Sequence, residues 1–270
     1  MREHARSFAF AARFLPSAIR PDVSDLYAFC RTVDDLVDEP ASGWTSTQVR
    51  RQLEDWQRWL NSSPIAPNGS SATAGLARVM AKYAISPIHL IDLVEGCKSD
   101  LDQPRFEDFQ QLERYCYQVG STVGLAMSPI LGVTDPRGLA CARDLGIAMQ
   151  LTNVIRDVRE DVAMGRYYLP AVEVRAFGCP VEAPERGGDL SGLIRLQCER
   201  ARGYYRSGLA GIKWVQPGAR FGIQLAAALY EAILDKIAQE GYDVYTRRAS
   251  TTLRQKVWLA FCLRLASFRG

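Results

Sequence analysis

Histidine is almost missing from this 270-residue sequence, which holds two, His4 and His89. Its seven cysteines (Cys30, Cys97, Cys116, Cys141, Cys179, Cys198 and Cys262) are scattered, and no two form a C-x-x-C pair. That scarcity argues against a structural zinc site and a disulfide scaffold, and favours a reducing, cytoplasmic compartment. Charge of one sign is lacking too. With 33 basic against 30 acidic residues, the formal charge of +3 is too small for a nucleic-acid binder. No run reaches the roughly 18 uninterrupted apolar residues that a membrane span needs. The opening stretch MREHARSFAFAARFLP has an apolar run, but Glu3 and Arg13 flank and break it. It reads as an ordinary first helix and a poor secretory signal. Strand signals are nearly absent.

What is present is ordinary globular composition, 47% hydrophobic and 23% charged, on a chain long enough for one large core. Pro, Gly, Ser and Asn clusters mark loops at 40–43, 61–75 and 177–189. Between them apolar residues recur at three and four, the helical period. Ser86 and Pro87 read as the cap and first position of a helix towards Leu101. Gly132 is a stop, and Asp135-Pro136 starts a helix running to about Asp161. Helices over 190–212 and 217–239 follow, the second ended by Gly241. There is no internal repeat and no linker, so residues 1–270 are expected to form a single all-α domain.

Two of these helices carry acids where a plain core stripe would suffice. In 22–38, Leu26, Phe29, Cys30, Val33 and Val37 form the apolar stripe. Beside it Tyr27, Arg31, Asp34 and Asp38 fall within roughly 60° of each other, on one ridge. In the helix ending at Asp161, Ile147, Leu151, Val154 and Val158 are apolar, and Gln150, Asn153, Asp157 and Asp161 run alongside. Like charges four apart destabilise an isolated helix by about 0.2–0.5 kcal/mol. Two such faces across a cavity would suit Mg²⁺, which takes one or two carboxylates and completes its shell with water and phosphate oxygens. Arg31 and Arg156 are placed to hold phosphate oxygens. The plainer reading is a pair of solvated faces laced by salt bridges to Arg31, Arg156 and Arg159. Spacing alone does not choose between them.

The strings DLYAFCRTVDDLVDE and LTNVIRDVREDVAMGRYYLP resemble the two aspartate-rich signatures of the squalene/phytoene synthase family. SFAFAARFLP, RYCYQVGSTVGL and LYEAILDKIAQEGYDVYTRR occur in the expected order, so the resemblance spans essentially the whole chain. It implies an isoprenoid synthase helical bundle around a central cavity. The implied reaction joins two prenyl diphosphates head to head through a cyclopropylcarbinyl diphosphate. Two geranylgeranyl diphosphates (C20) would give phytoene by way of prephytoene diphosphate. Two farnesyl diphosphates (C15) would give squalene, presqualene diphosphate or dehydrosqualene, with NADPH needed only for squalene. A terpene cyclase or single-prenyl transferase on the same fold is a further alternative, and a scaffold without catalysis would be expected to lose the acids. The resemblance implies Asp34, Asp38, Asn153, Asp157 and Asp161 as ligands of Mg²⁺, or of Mn²⁺ in its place. Catalysis would rest on Asp34, Asp38, Asp157, Asp161, Tyr27 and Arg31. It implies His4, Ser7, Tyr27, Arg31, Gln150, Arg156 and Tyr242 against the diphosphates or reacting carbons, and Tyr115 on the cavity wall. Phe8 is a further aromatic candidate for holding a cation.

Two segments depart from the family pattern. GCKSDL (96–101) replaces two usual methionines by Cys97 and Ser99, and VGSTVG (119–124) replaces VAGTVG. Both should lie near the wall that receives the prenyl chain. The small residues 120–124 would either bend a helix and leave room for that chain, or simply let helices pack closely. The C-terminal stretch LRQKVWLAFCLRLASFRG is basic and amphipathic. It reads either as a packed helix or as a peripheral contact with the inner face of an anionic membrane.

Overall fold

The computed structural model describes residues 2–62 and 71–266. Its helices are α1 (Arg2–Ala12), α2 (Arg20–Asp38), α3 (Ser46–Ser62), α4 (Ser71–Tyr83), α5 (Pro87–Ser99), α6 (Phe109–Cys116) and α7 (Thr122–Met127), followed by α8 (Pro136–Arg156), α9 (Val158–Ala163), α10 (Ala171–Ala176), α11 (Leu190–Leu209), α12 (Pro217–Gln239) and α13 (Leu253–Ala266). Among the described residues the sole β pairing is an isolated bridge between Arg105 and Tyr167. No described helix is long and apolar enough to cross a membrane.

The start signals act as caps. The Ser86 side chain accepts from the Ile88 N–H, Asp135 from Arg137, and Asp189 from Gly192. Each such cap stabilises its helix by about 0.5–2 kcal/mol. The stripes read from the sequence go inside. Leu26, Phe29, Cys30, Val33 and Val37 of α2 are buried, with Phe29 edge-on to Trp56 of α3 at 5.1 Å. Ile147, Leu151 and Val154 of α8 pack with Ile194, Cys198 and Tyr205 of α11. Val119 touches both of these cores. Asp22 is buried and ties α2 to α4 through Lys82 at 2.7 Å, Tyr83 at 2.7 Å and Arg78 at 2.7 Å. Burial alone would raise its pKa, but those three donors outweigh burial and hold it at about 2.

Three boundaries differ from expectation. The helix expected to run to Asp161 is broken at Asp157 (φ −102°, ψ 12°) into α8 and α9. The path still turns helically, since Asp161 N–H bonds the Asp157 carbonyl at 2.9 Å. The expected 61–75 loop is shorter at its end, because α4 starts at Ser71; its middle, 63–70, lies outside the described residues. Gly75 lies inside α4, where a Cβ would come within 2.9 Å of the Asp25 carboxyl carbon. The 190–212 helix tightens after Leu209 into a 3₁₀ turn over Ala210–Trp214.

Segment 117–121 is a π turn between α6 and α7, and it presses on α8. A Cβ on Gly146 would lie 2.4 Å from Ser121 Cα. Gly146→Ala should therefore destabilise the protein by about 1–3 kcal/mol, although helix propensity alone favours alanine by about 1 kcal/mol. Urea unfolding reads the sign: a stabilised variant would mean that the two backbones are not in register contact.

Candidate active site

α2 and the α8–α9 pair turn their acid-bearing ridges towards one cavity of about 560 Å³. Tyr27, Arg31, Asp34 and Asp38 border it from one side, and Gln150, Asn153, Asp157 and Asp161 from the other. Tyr115 closes part of the wall. Adjoining it is a second, apolar space of about 200 Å³, lined by Phe8, Met127, Leu131, Val215 and Ile223. The two share Tyr27, Val119, Val123, Gln150, Asn153 and Tyr230. Phe8 stacks on Tyr27 with ring centroids 4.2 Å apart. Gly120 and Gly124 border the apolar space, and Gly120 also abuts α8, so close helix packing accounts for at least that glycine.

Arginines face the carboxylates. Arg31 Nη1 pairs with Asp34 at 2.6 Å, and its other nitrogen with Asp35. Arg166 Nη1 donates to Asp38 at 2.8 Å across the cavity. Arg156 Nε and Arg248 Nε share the same Asp157 oxygen, at 2.8 and 2.7 Å. Asp161 has no arginine within ion-pair range among the described residues. The salt-bridge reading of the stripes thus holds for Arg31 and Arg156. Arg159 instead donates to the Tyr245 carbonyl at 2.8 Å.

Some expected residues stand elsewhere. Arg156 is 2% exposed and grips Asp157 from behind the cavity wall. Ser7 is buried in α1, and Tyr242, at φ 62°, packs on the α8–α11–α12 core; neither borders the cavity. His4 lies in α1, but its side chain is outside the described residues. Others were not singled out. Asp100 accepts hydrogen bonds from the Tyr115 hydroxyl at 2.9 Å and the Tyr168 hydroxyl at 2.8 Å, and those two rings stack at 5.0 Å. Arg166, Tyr168, Tyr230 and Arg248 also border the cavity. Asp100 and the Arg166–Tyr168 pair sat inside the strings GCKSDL and GRYYLP, yet no spacing rule marked them. Cys97, one of the departures, is on the wall as well.

The donor set suits a hard divalent cation. Asn153 Oδ1 is buried without a hydrogen-bond partner, while its amide nitrogen donates to Gln150 Oε1 at 3.2 Å. An unpartnered amide oxygen beside carboxylates is a ligand set for such an ion. Among the described residues no three His, Cys, Asp or Glu side chains converge into a complete cage. Any cation held here therefore draws further oxygens from water or ligand. Cys30 carries no thiolate at neutral pH, because burial pushes its pKa up to about 12.

Burial, then repulsion from Asp38, raises the pKa of Asp34 to about 6 despite Arg31. The Asp34 side chain borders the cavity and is ringed by protein. Burial raises Asp100 to about 7 against Arg166 and its two tyrosines. Burial and then Asp157 raise Asp161 to about 8. The sign follows directly: between about pH 4 and pH 8 the folded chain binds more protons than the unfolded chain, so stability falls as pH rises. In a chelator, the thermal midpoint should drop between pH 5 and pH 8.5, and Asp100→Asn should flatten that slope. A midpoint that rises over this range would contradict the burial of these acids.

A family model described as squalene/phytoene synthase matches residues 1–255. The chain is 33% identical to the 15-cis-phytoene synthase of Synechococcus elongatus over 261 residues, covering 91% of this chain and 84% of that protein. It is 32% identical to the 15-cis-phytoene synthase of Pantoea ananas over 268 residues, covering 94% and 85%. A solved dehydrosqualene synthase in complex with ligand superposes with a TM-score of 0.86 at 28% identity, covering 98% of this chain and 93% of that one. A squalene synthase from Alicyclobacillus acidocaldarius gives 0.78 at 26% identity, with 87% and 89% covered. A bundle with two acid-bearing ridges across one cavity, matched along nearly its whole length by these synthases, places the chain in the squalene/phytoene synthase family.

Proposed function

We propose that this protein is a prenyltransferase that joins two prenyl diphosphates head to head, taking two geranylgeranyl diphosphates to phytoene through prephytoene diphosphate. The observation that carries this reading is the junction of a charged cavity and an apolar space along one shared wall. A prenyl diphosphate has that same division, an anionic head on a long apolar chain. Residues 1–270 act as one catalytic domain.

Asp34, Asp38, Asn153, Asp157 and Asp161 would hold Mg²⁺, or Mn²⁺, which when bound offsets charge on the departing diphosphate. Arg31, Arg166 and Arg248, already on the wall, are placed to take diphosphate oxygens. Arg156 holds Asp157 in position from behind. Allylic diphosphate departure leaves a carbocation, which water would quench, so the apolar space must stay dry. Tyr27, Tyr115, Tyr168 and Tyr230 border the cavity, and an aromatic ring whose face meets a cation stabilises it by about 0.5–2 kcal/mol. Asp100 holds two of those tyrosines by their hydroxyls, fixing the rings where charge develops.

A second reading keeps the chemistry and shortens the chain to farnesyl diphosphate. Cys97 on the wall, where many relatives carry methionine, and the likeness to a dehydrosqualene synthase support it. NADPH enters only if squalene is the product. Peripheral membrane contact through the C-terminal helix would go with either reading.

Purified protein with Mg²⁺ and geranylgeranyl diphosphate should give a C40 hydrocarbon identified by mass spectrometry, with or without NADPH. A C30 product from farnesyl diphosphate alone would favour the second reading, and no condensed product from either substrate would sink both. Asp34→Asn and Asp161→Asn should each lower turnover by about 10²-fold or more while leaving the fold intact by circular dichroism. Turnover within threefold of the parent would remove those acids from the mechanism.

A further inference from the structure

The apolar space behind the charged cavity has a depth that one helix measures. α8 lines it from end to end, with Gln150 at the shared wall and Met149, Gly146, Leu145, Ala142 and Gly138 following away from it. The helix is unbroken over this stretch, so its rise per residue serves as a scale. Gly138 lies twelve positions before Gln150, about 18 Å along the axis, and Ala142 eight positions before it, about 12 Å. A prenyl chain can be put on the same scale. An extended polypeptide advances about 3.3–3.6 Å over three bonds, so an extended chain of single bonds advances about 1.2 Å per bond. The fifteen bonds along a geranylgeranyl chain then reach about 18 Å, and the eleven along a farnesyl chain about 13 Å. One isoprene unit thus corresponds to about one helical turn, roughly 5 Å.

The far end at Gly138 has no room to recede. A Cβ on Gly138 would lie 2.9 Å from Trp214 Cβ and 2.8 Å from Val133 Cγ1, and one on Gly211 would lie 2.3 Å from Cys141 Cβ. The start of α8 and the 3₁₀ turn of 210–214 are pressed together at these two glycines. Lys213 and Arg137 lie over the Trp214 ring at 4.4 and 5.4 Å, which holds that ring in place. One turn nearer the charged cavity the lining is small instead. There Ala142 of α8 meets Gly124 of α7, where a Cβ would stand 3.3 Å from the Ala142 carbonyl oxygen. Ser128, one turn further along, donates its hydroxyl to the Gly124 carbonyl at 2.9 Å and so keeps no donor for the space it borders.

We propose that α8 acts as a chain-length ruler: the wall at Gly138, Gly211 and Trp214 is the stop for a C20 chain, and the small residues at Ala142 and Gly124 are what let the chain pass the level at which a C15 chain ends. Ala142 is then a specificity-determining residue. The proposal deepens the head-to-head reading above and rests on it, because the anionic head must sit at Gln150 and Asn153 for the scale to start there.

The test separates binding from turnover. Calorimetric titration of the full chain with Mg²⁺ and the thiolodiphosphates of geranylgeraniol and farnesol, which bind without ionising, gives the two affinities. The parent should bind the C20 compound at least about tenfold more tightly, since its last isoprene unit buries further apolar surface. Ala142→Phe should lower the ratio of C20 to C15 affinity by at least about tenfold. With Mg²⁺ and an equimolar mixture of geranylgeranyl and farnesyl diphosphates, it should also shift the hydrocarbon from C40 towards C30 by mass spectrometry. Should Ala142→Phe fail to fold by circular dichroism, Ser128→Leu, which fills the same end from α7, is held to the same criteria. A parent that binds both chains alike or prefers C15 overturns the proposal, and so does a folded variant that keeps the parent's ratio. C40 product from the parent and equally from the variant sinks the ruler alone. A ratio that shifts as expected, with no condensed product from either diphosphate, supports the ruler and sinks the chemistry alone.

Discussion

Like charge gathered in a partly enclosed space is the constraint around which this molecule is organised. Asp34, Asp38, Asp100, Asp157, Glu160 and Asp161 all border one cavity. Two unit charges about 4 Å apart near a protein surface repel by about 4 kcal/mol. The chain meets this in two ways. It brings arginines from distant segments onto the acids, and burial makes Asp34, Asp100 and Asp161 give up their protons less readily than free carboxyls do. Neither device would work on flexible loops. Asp34, Asp38 and Asp161 sit on helices whose other faces pack into the core, so repulsion among them cannot readily relax by moving the backbone.

The same rigidity creates the division between head and chain. Gly146 lets the π turn of 117–121 approach α8 within backbone contact, with Val119 at the boundary of both spaces and Gly120 on the apolar one. On one side are carboxylates, arginines and an unpartnered amide oxygen; on the other are Met127, Leu131, Val215 and Ile223. Tyr27, stacked on Phe8, and Tyr230 stand where the two meet, while Tyr115 and Tyr168 stack on each other on the charged side. The space is charged at one end and apolar at the other, with aromatic rings between. That order follows from how the helices cross.

Much of this was legible in the order of residues. The two ridges, Tyr27-Arg31-Asp34-Asp38 and Gln150-Asn153-Asp157-Asp161, face the cavity as the helical period requires. Buried stripes on α2 and α8 went inside for the same reason, and α12 has the bounds its proline and glycine signals set. Asp100 was not legible as a site residue. It follows α5 in a short 3₁₀ turn, where no periodicity orients a side chain, and its importance comes from two tyrosines 15 and 68 residues away. The break at Asp157 was missed because its neighbours keep a helical pattern across it. Its carboxylate is held by Arg156 and by Arg248, which is 91 residues distant.

By itself, then, the sequence determined which residues share a ridge, where most helices begin, and that the fold is helical. These are local consequences of a fixed rise and turn per residue, and of caps satisfied within a few positions. The tertiary structure decided which arginine answers which aspartate, such as Arg166 with Asp38 across 128 residues, and that the two acid ridges enclose one cavity with an apolar space behind it. It also decided that α13 packs on one side and leaves Trp258 and Phe261 uncovered on the other. The reason is physical: a periodic pattern fixes the direction of a side chain relative to its own helix. What that direction meets depends on helix crossings set by the whole core.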